Sequence, residues 1–303
     1  MRKELSVSII IPVWNGRKLL EKNLPSIIKA SNNPKNKISE IILVDDASPD
    51  DSIQFVNENY KKQVRIVRLK RNRGFAGAVN MGVYASSSPL ICLLNMDVIP
   101  EKNFLESVFK LFDDKDVFAV GLHEKGYGPA VAQFQNGYIG YKPGNESNSI
   151  QESMWASGGS SILKRSLWIK LKGLDEELYS PFYSEDVDLG YRAWKRGYKI
   201  LWDPNARVEH KHESVINPEM FAKRYLIFIK ERNILLLTQK NLTSQRLWKK
   251  HKREIFKRVI RHPGYLRVLY AAWQNREVVR RRREKELKQT KVSDEAIFER
   301  FEK

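Results

Sequence analysis

Three groups of acids stand where apolar runs of this chain end. Ile41–Val44 runs into Asp45 and Asp46, and Leu90–Leu94 into Asn95, Met96 and Asp97. Glu185, Asp186 and Asp188 follow the aromatic stretch Tyr179–Tyr183. Short apolar runs bounded by turn residues read as buried parallel strands. Ligands of such sheets bind beyond the carboxyl ends of the strands. Acids gathered there must be neutralised, most simply by a divalent cation and its phosphate ligand. The pattern predicts an enzyme that holds a metal ion and a nucleotide diphosphate.

Each group also has a plainer explanation. Asp45 at a strand end can accept the N3–H of a uracil or thymine, or a ribose hydroxyl; Asp46 and Ser48 fit helix capping well, Asp45 poorly. Arg71–Asn80 opens a helix with two glycines and a basic pair, so its backbone N–H groups could meet phosphate. It has neither the dinucleotide glycine spacing nor a P-loop lysine, and close helix–sheet packing explains Gly77 and Ala78 equally well. Asn95 and Asp97, at i and i+2, can face one side of an extended segment and grip Mg²⁺ or Mn²⁺; a polar strand terminus is the alternative. Glu185, Asp186 and Asp188 open one helix, where the dipole tolerates them, and Asp188 can pair with Arg192. A general base at that helix start is the functional reading. His210, in Val208–His212, is either an imidazole ligand of the same metal or an exposed histidine without a role.

The elements that must position these groups alternate. Val7–Val13, Ile41–Val44, Val64–Leu69, Leu90–Leu94 and Val117–Gly121 read as strands. Arg17–Ala30, a segment starting at Ser48–Asp51, Phe75–Ser86 and Glu101–Phe112 read as helices. This spacing predicts a parallel, Rossmann-like α/β sheet over the first ~120 residues. Gly126–Glu152 turns to Gly, Asn, Ser, Pro and Gln, a long loop or small hairpin over a site. Tyr127, Phe134, Tyr138, Tyr141 and Trp155 would shape an acceptor side there. Regularity returns at Ser161–Leu171. A helix is expected over Glu185–Arg196, with Ser184 as cap and Gly197 as stop, then a strand over Tyr198–Trp202 and a helix over Met220–Thr238.

Charge divides the chain. The net charge is +18 over 303 residues. Lys240–Lys303 holds 20 Lys and Arg against 8 Asp and Glu, a net +12. This predicts a domain over 1–238 and a basic amphipathic helical extension over 239–303, suited to anionic lipid, nucleic acid or an acidic partner. The single cysteine, Cys92, lies in an apolar run and reads as core; its isolation fits a reducing cytosol. Met1–Lys3 before Val7–Val13 faintly mimics a signal peptide, but Pro12, Trp14, Asn15 and Gly16 cut the run short, and it reads as the first strand. No segment approaches the ~18 apolar residues of a membrane span.

Taken in order, Pro12–Gly16, Val44–Ser48, Asn72–Asn80, Leu94–Asp97, Gly173–Glu176, Glu185–Leu189, His210 and Arg232–Leu236 resemble the motifs of the inverting glycosyltransferases of bacterial family 2, rhamnosyltransferases among them. The resemblance covers about residues 5–240. It implies the GT-A fold: a Rossmann-like, mostly parallel sheet flanked by helices, here with the basic helical extension. It implies that Asp45 binds the nucleotide base, Asp97 and His210 hold Mg²⁺ or Mn²⁺ on the diphosphate, and Asp186 is the catalytic base. Pro12, Asn15, Asn72, Gly74, Asn80 and Asn95 would complete the donor site. Asn95 stands where many relatives have Asp, which keeps a carbonyl oxygen and removes a charge.

The resemblance further implies transfer from a UDP or dTDP sugar to a saccharide or lipid-linked saccharide, in cell-surface polysaccharide or glycolipid synthesis. The expected place is the cytoplasm, peripheral on the inner membrane face through the extension. A sugar-1-phosphate nucleotidyltransferase ranks lower, because Pro12–Arg17 has one glycine where a triphosphate loop needs several. A non-catalytic protein binding nucleic acid or another anionic surface would explain the tail but not the ordered acids.

Overall fold

The computed structural model describes residues 5–210 and 222–302. The Lys211–His212 end of the histidine motif and the Met220 start expected for a helix lie outside the described residues. In chain order the elements are β1 (Val7–Val13), α1 (Arg17–Ser31), β2 (Ile38–Asp45), α2 (Ser52–Tyr60), β3 (Arg65–Arg68), α3 (Gly74–Ala85), β4 (Leu90–Leu94), β5 (Val98–Pro100), β6 (Val117–Glu124), β7 (Ala130–Gln135), β8 (Tyr138–Pro143), β9 (Gln151–Glu152) and β10 (Ser160–Lys164). There follow α4 (Arg165–Leu171), α5 (Glu176–Tyr179), α6 (Glu185–Lys195), β11 (Lys199–His210), α7 (Lys223–Asn241), α8 (Gln245–Arg261), α9 (Leu266–Trp273), α10 (Arg276–Gln289) and α11 (Asp294–Phe301).

The main sheet runs β3-β2-β1-β4-β10-β6-β11-β5, with β9 on β11. β3, β2, β1 and β4 are parallel, as their alternation with helices predicts. β6 does not join them directly. β10 inserts antiparallel between β4 and β6, and β6 then pairs parallel with β11. The sheet is therefore mixed. β7 and β8 form a separate antiparallel hairpin within Gly126–Glu152.

Side-chain alternation along the strands feeds two apolar layers. Ile10, Ile42, Val44, Ile91 and Leu93 face one way, toward α3, α6 and α7. Ile9, Ile11, Ile41, Leu43, Cys92 and Leu94 face the other, toward α1 and α2. Strands buried on both faces are what uninterrupted apolar runs require. Full burial pushes the Cys92 thiol far up, consistent with a core residue. Close approach of α3 to the sheet is made at Gly82, where a Cβ would sit 2.4 Å from Ile10 Cγ2. Gly77 instead gives room for Arg73 and Glu176, each 2.5 Å from a Cβ placed there; the packing role expected of Gly77 falls to Gly82.

Three local expectations are corrected. Residues 101–108 form turns rather than a helix, followed by a one-turn 3-10 segment, Phe109–Asp113. α6 starts without a side-chain cap, because Ser184 is left-handed (φ +74°). α2 starts at Ser52, with Asp50 rather than Ser48 accepting the Ser52 N–H at 3.3 Å.

The basic extension is docked on the sheet domain. Leu242, Leu247, Tyr265, Val268, Val279, Ile297 and Phe298 of the extension belong to the same apolar cluster as Ile10 and Phe118. The predicted boundary after residue 238 falls inside α7, whose helix continues to Asn241. Among the described residues no helix is long and apolar enough to cross a membrane.

Candidate active site

The site forms where β1, β2 and β4 end. The β1–α1 turn is stitched to the β2–α2 turn by three backbone donors. Asn15 N–H donates to Ser48 Oγ (3.3 Å), Gly16 N–H to Ser52 Oγ (3.1 Å) and Arg17 N–H to Asp50 Oδ2 (3.0 Å). Asn15 is exposed and left-handed (φ +52°), a conformation Asn tolerates better than most residues. Asp45 accepts the Ser48 N–H at 2.8 Å and so closes its own turn. Asp46 accepts the Arg73 N–H at 2.7 Å, joining β2 to the start of α3. Burial, partly offset by N–H bonds from Arg73 and Gly74, pushes Asp46 up to about 6. Asp46 does not perform the capping expected of it at α2, where Asp50 accepts the Ser52 N–H, and instead reaches the cavity wall.

That cavity encloses about 370 Å³, enough for part of a nucleotide sugar. Pro12, Trp14, Asp46, Asn72, Gly74, Phe75, Asn95, Asp97 and Phe182 line it. Asn72 Oδ1 accepts the Gly74 N–H at 3.0 Å. Gly74 has φ +72°, and a Cβ there would lie 2.9 Å from the Pro181 carbonyl oxygen, so the turn and the close approach both require glycine. Arg232 donates to the Ser180 carbonyl (2.6 Å), and Asn233 to those of Phe182 and Tyr183. The Arg-Asn pair of α7 thereby fixes the far wall. Asn80 lies elsewhere. Its amide gives to and takes from the backbone of Leu174, at 2.8 and 3.0 Å, and ties α3 to the segment before α5.

Asn95 and Asp97 occupy a turn between β4 and β5, not an extended segment, yet both line the cavity. β11 pairs with β5, setting His210 opposite Val98 and its Nε2 3.1 Å from Asp97 Oδ1. His210 Nδ1 lies 3.0 Å from Glu124 Oε1 at the end of β6. Burial opposes charge on this imidazole, yet hydrogen bonds and charge from Asp97 and Glu124 push it up to about 9. Asp97 Oδ2 is buried with no hydrogen-bond partner. An orphaned carboxylate oxygen suits Mg²⁺ or Mn²⁺, which favour hard oxygen donors; the adjacent imidazole can join it only by giving up the proton that Asp97 and Glu124 hold on it. Among the described residues no three His, Cys, Asp or Glu converge on one such point, so a bound cation would draw remaining ligands from phosphate and water.

Asp186, second residue of α6, lines neither of the two large cavities but lies behind a wall of each. Its Oδ2 accepts the Gly158 N–H at 3.2 Å. A Cβ on Gly158 would touch Phe75 (2.9 Å), and one on Gly159 would touch Asn95 (2.4 Å). The glycine pair therefore brings Asp186 within reach of the donor-side wall. On its other side a second cavity, also about 370 Å³, is lined by Glu124, Tyr127, Tyr141, Trp155, Trp202 and His210. Burial and then the charge of Asp186 raise the Tyr141 phenol. Burial also raises Asp186, despite N–H bonds from Gly158 and Val187, and Glu185, where the adjacent Asp186 charge adds to it. Asp188 is different. Burial would raise it, but Lys240 and Arg192 hold it well below the usual carboxylate range. It accepts from Tyr179, Arg192, Lys240 and Asn241 at 2.7–3.0 Å, a structural anchor for α6.

Of the five aromatics expected beside an acceptor, Tyr127, Tyr141 and Trp155 line the second cavity. Tyr138 and Phe134 pack on the extension, against His251 and Phe298. Tyr138 and Tyr141 are three residues apart on β8, so they face opposite ways. Glu124 was not foreseen. Its signal was the same strand-end rule, hidden because β6 runs three residues past the expected Gly121.

Residues 8–171 match the family model described as glycosyl transferase family 2. The chain is 27% identical to the O-antigen chain rhamnosyltransferase WbaN of Salmonella anatum over 231 residues, 73% of this chain and 70% of that protein. It is 26% identical to the pre-mycofactocin glycosyltransferase of Mycobacterium tuberculosis over 228 residues, 72% of this chain but only 45% of that relative's length. Among solved structures, the mannosyltransferase PcManGT of Pyrobaculum calidifontis with GDP-Man and Mn²⁺ superposes with a TM-score of 0.57 at 14% identity, covering 93% of this chain and 84% of that one. S. aureus TarS with UDP-GlcNAc gives 0.57 at 16% identity, covering 98% and 92%. These structures share the fold.

Proposed function

This chain belongs to glycosyl transferase family 2, and on that premise we propose that it moves a sugar, with inversion, from a nucleotide diphosphate to an acceptor hydroxyl. The observation that carries this reading is the packing of Asp186 against Gly158, which abuts Phe75 of the donor-side cavity, while the charge of Asp186 reaches Tyr141 of the aromatic one. The nucleotide lies along the β1, β2 and β4 ends, its base near Asp45 and Asp46 and its diphosphate near Asn95 and Asp97. Asp97 and His210 hold Mg²⁺ or Mn²⁺, with Asn95 beside them; the cation, when bound, offsets charge on the departing diphosphate. Asn15, Asn72, Gly74 and Pro12 shape the donor wall, and Asn80 supports α3 from behind.

Asp186 accepts the proton of the acceptor hydroxyl as that oxygen attacks C1 from the face opposite the leaving group. A carboxylate raised by burial is a stronger base than one in water. Tyr127, Tyr141 and Trp155 offer faces to sugar C–H surfaces, and the buried, unpartnered Trp155 Nε1 offers a donor to an acceptor hydroxyl. A UDP or dTDP donor is read from Asp45 at the strand end, and a saccharide or lipid-linked saccharide acceptor in cell-surface glycan synthesis is supported by the likeness to an O-antigen chain rhamnosyltransferase. Placement at the inner membrane face rests on the basic extension.

Asp186→Asn tests the assignment. Transfer or donor hydrolysis, screened over nucleotide sugars, should fall ~10²–10⁴-fold with donor affinity nearly unchanged. Unaltered turnover would move the base to another carboxylate. A fall in affinity equal to the fall in rate would make Asp186 a binding residue.

A further inference from the structure

α8 and α9 each hide one face and show apolar residues on the other. Leu247 and His251 of α8, and Val268 and Ala272 of α9, are buried against the domain. On the outside stand Phe256 and Ile260 of α8 and Leu266, Tyr270 and Trp273 of α9, all more than half exposed. Their spacings, i,i+4 on α8 and i,i+4,i+7 on α9, place them in one stripe per helix. Tyr270 and Trp273 stack at 6.0 Å, and the Arg276 guanidinium lies 4.1 Å from the Trp273 ring centre. Lys252, Arg253, Lys257, Arg261, Arg267 and Arg276 are exposed around these stripes. Residues 245–276 hold ten Lys and Arg and one acid, Glu254.

We infer that this outer face lies in the headgroup layer of an anionic lipid surface, with the five apolar side chains inserted. The charge is complementary to such a surface and unsuited to a second copy of itself. Tryptophan and tyrosine favour the boundary between hydrocarbon and headgroups, and a helix pair with apolar stripes and basic flanks lies in that plane. The inference deepens the proposed membrane placement and rests on it, because the face is tied to the acceptor cavity by one strand. Tyr138 of β8 meets the Tyr265 hydroxyl at 3.0 Å, and the Gly137 carbonyl lies 2.6 Å from His251 Nδ1. Arg258 sits 4.0 Å over the Tyr265 ring. Tyr141, three residues on and about 10 Å along the strand, lines the acceptor cavity. An acceptor whose lipid end stays in the bilayer would thus present its sugar beside Asp186.

The test uses the full chain with vesicles of phosphatidylcholine alone and of phosphatidylcholine with phosphatidylglycerol. The protein should pellet with the anionic vesicles only, and salt should release it. The triple variant Phe256→Ser, Tyr270→Ser, Trp273→Ser and the triple variant Arg253→Gln, Lys257→Gln, Arg261→Gln should each lower partitioning at least tenfold, with melting curves and UDP·Mn²⁺ binding like wild type. No pelleting of wild type, or pelleting of both variants like wild type, overturns the inference. So does an oligomer in sedimentation velocity that the serine variant dissociates, which would make the face a protein interface. Nucleotide binding without vesicle binding refutes this inference alone. Vesicle binding without affinity for UDP, dTDP or GDP with Mn²⁺ refutes the enzyme reading alone.

Discussion

Neighbouring carboxylates in this site do different work because their surroundings differ. Asp45 closes a turn and Asp46 faces the cavity, held up to about 6 by burial. A carboxyl raised in the fold contributes stability that is present below its unfolded value, near 3.8, and is lost as pH rises through about 6. Asp46→Asn keeps an acceptor for the Arg73 N–H and cannot ionise. The melting-temperature advantage of this variant over wild type should therefore widen between about pH 4 and pH 6 and stay level above about pH 7; a constant difference across that window would show that Asp46 ionises freely. Asp97 offers a second test at this scale. Asp97→Ala removes the orphaned oxygen beside His210, so titration calorimetry should find UDP affinity that no longer responds to Mn²⁺ or to chelator. Retained metal dependence would place the cation on other ligands.

At the scale of elements, α6 carries Asp186 and is held from three sides. Asp188 is fully buried and takes bonds from Lys240 and Asn241 of α7. Lys195 pairs with Asp294 of α11 at 2.6 Å, and Arg196, just past α6, with Glu286 of α10. Breaking one partner of a buried pair leaves an uncompensated charge, typically costing about 3–5 kcal/mol. Lys240→Met should sit near the lower end of that range in urea unfolding, since Arg192 and Tyr179 still serve Asp188. Lys199→Met breaks the exposed, water-screened pair with Asp114 and should leave the urea midpoint almost unchanged. Similar costs for the two variants would contradict an anchoring role for Lys240.

Across the whole molecule, the extension and the sheet domain form one apolar unit. Arg282 of α10 reaches Asp175 at 3.0 Å, and Asp294 of α11 binds Tyr191, Lys195, Thr243 and Ser244. Ending the chain after Asn275 removes those partners and the buried Val279, Ile297 and Phe298. The truncated chain should lose cooperative melting by circular dichroism and bind a hydrophobic dye, because several buried charges and apolar contacts are lost together. A truncated chain that melts like wild type would establish the separate domains that charge alone suggested. It is for this reason that the membrane face calls for point substitutions in the full chain.

The sequence by itself determined the parallel start of the sheet, the strand-end location of the acids, the head of α6 and the amphipathic basic tail. Each is written in a few consecutive residues, as an apolar run, a turn residue or a helical period. Tertiary structure decided what depended on distant partners. β10 enters between β4 and β6 by pairing with residues 40 to 74 positions earlier, and nothing in Ser160–Lys164 announces that. His210 meets Asp97 and Glu124 because β11 lies between β5 and β6. Tyr138 and Tyr141 part company because the hairpin gives each face of β8 a different neighbour, the extension on one and the acceptor cavity on the other. Local patterns fix which residues can form an element, while side chains far apart in the chain settle which faces meet, since only folding brings them within bonding distance.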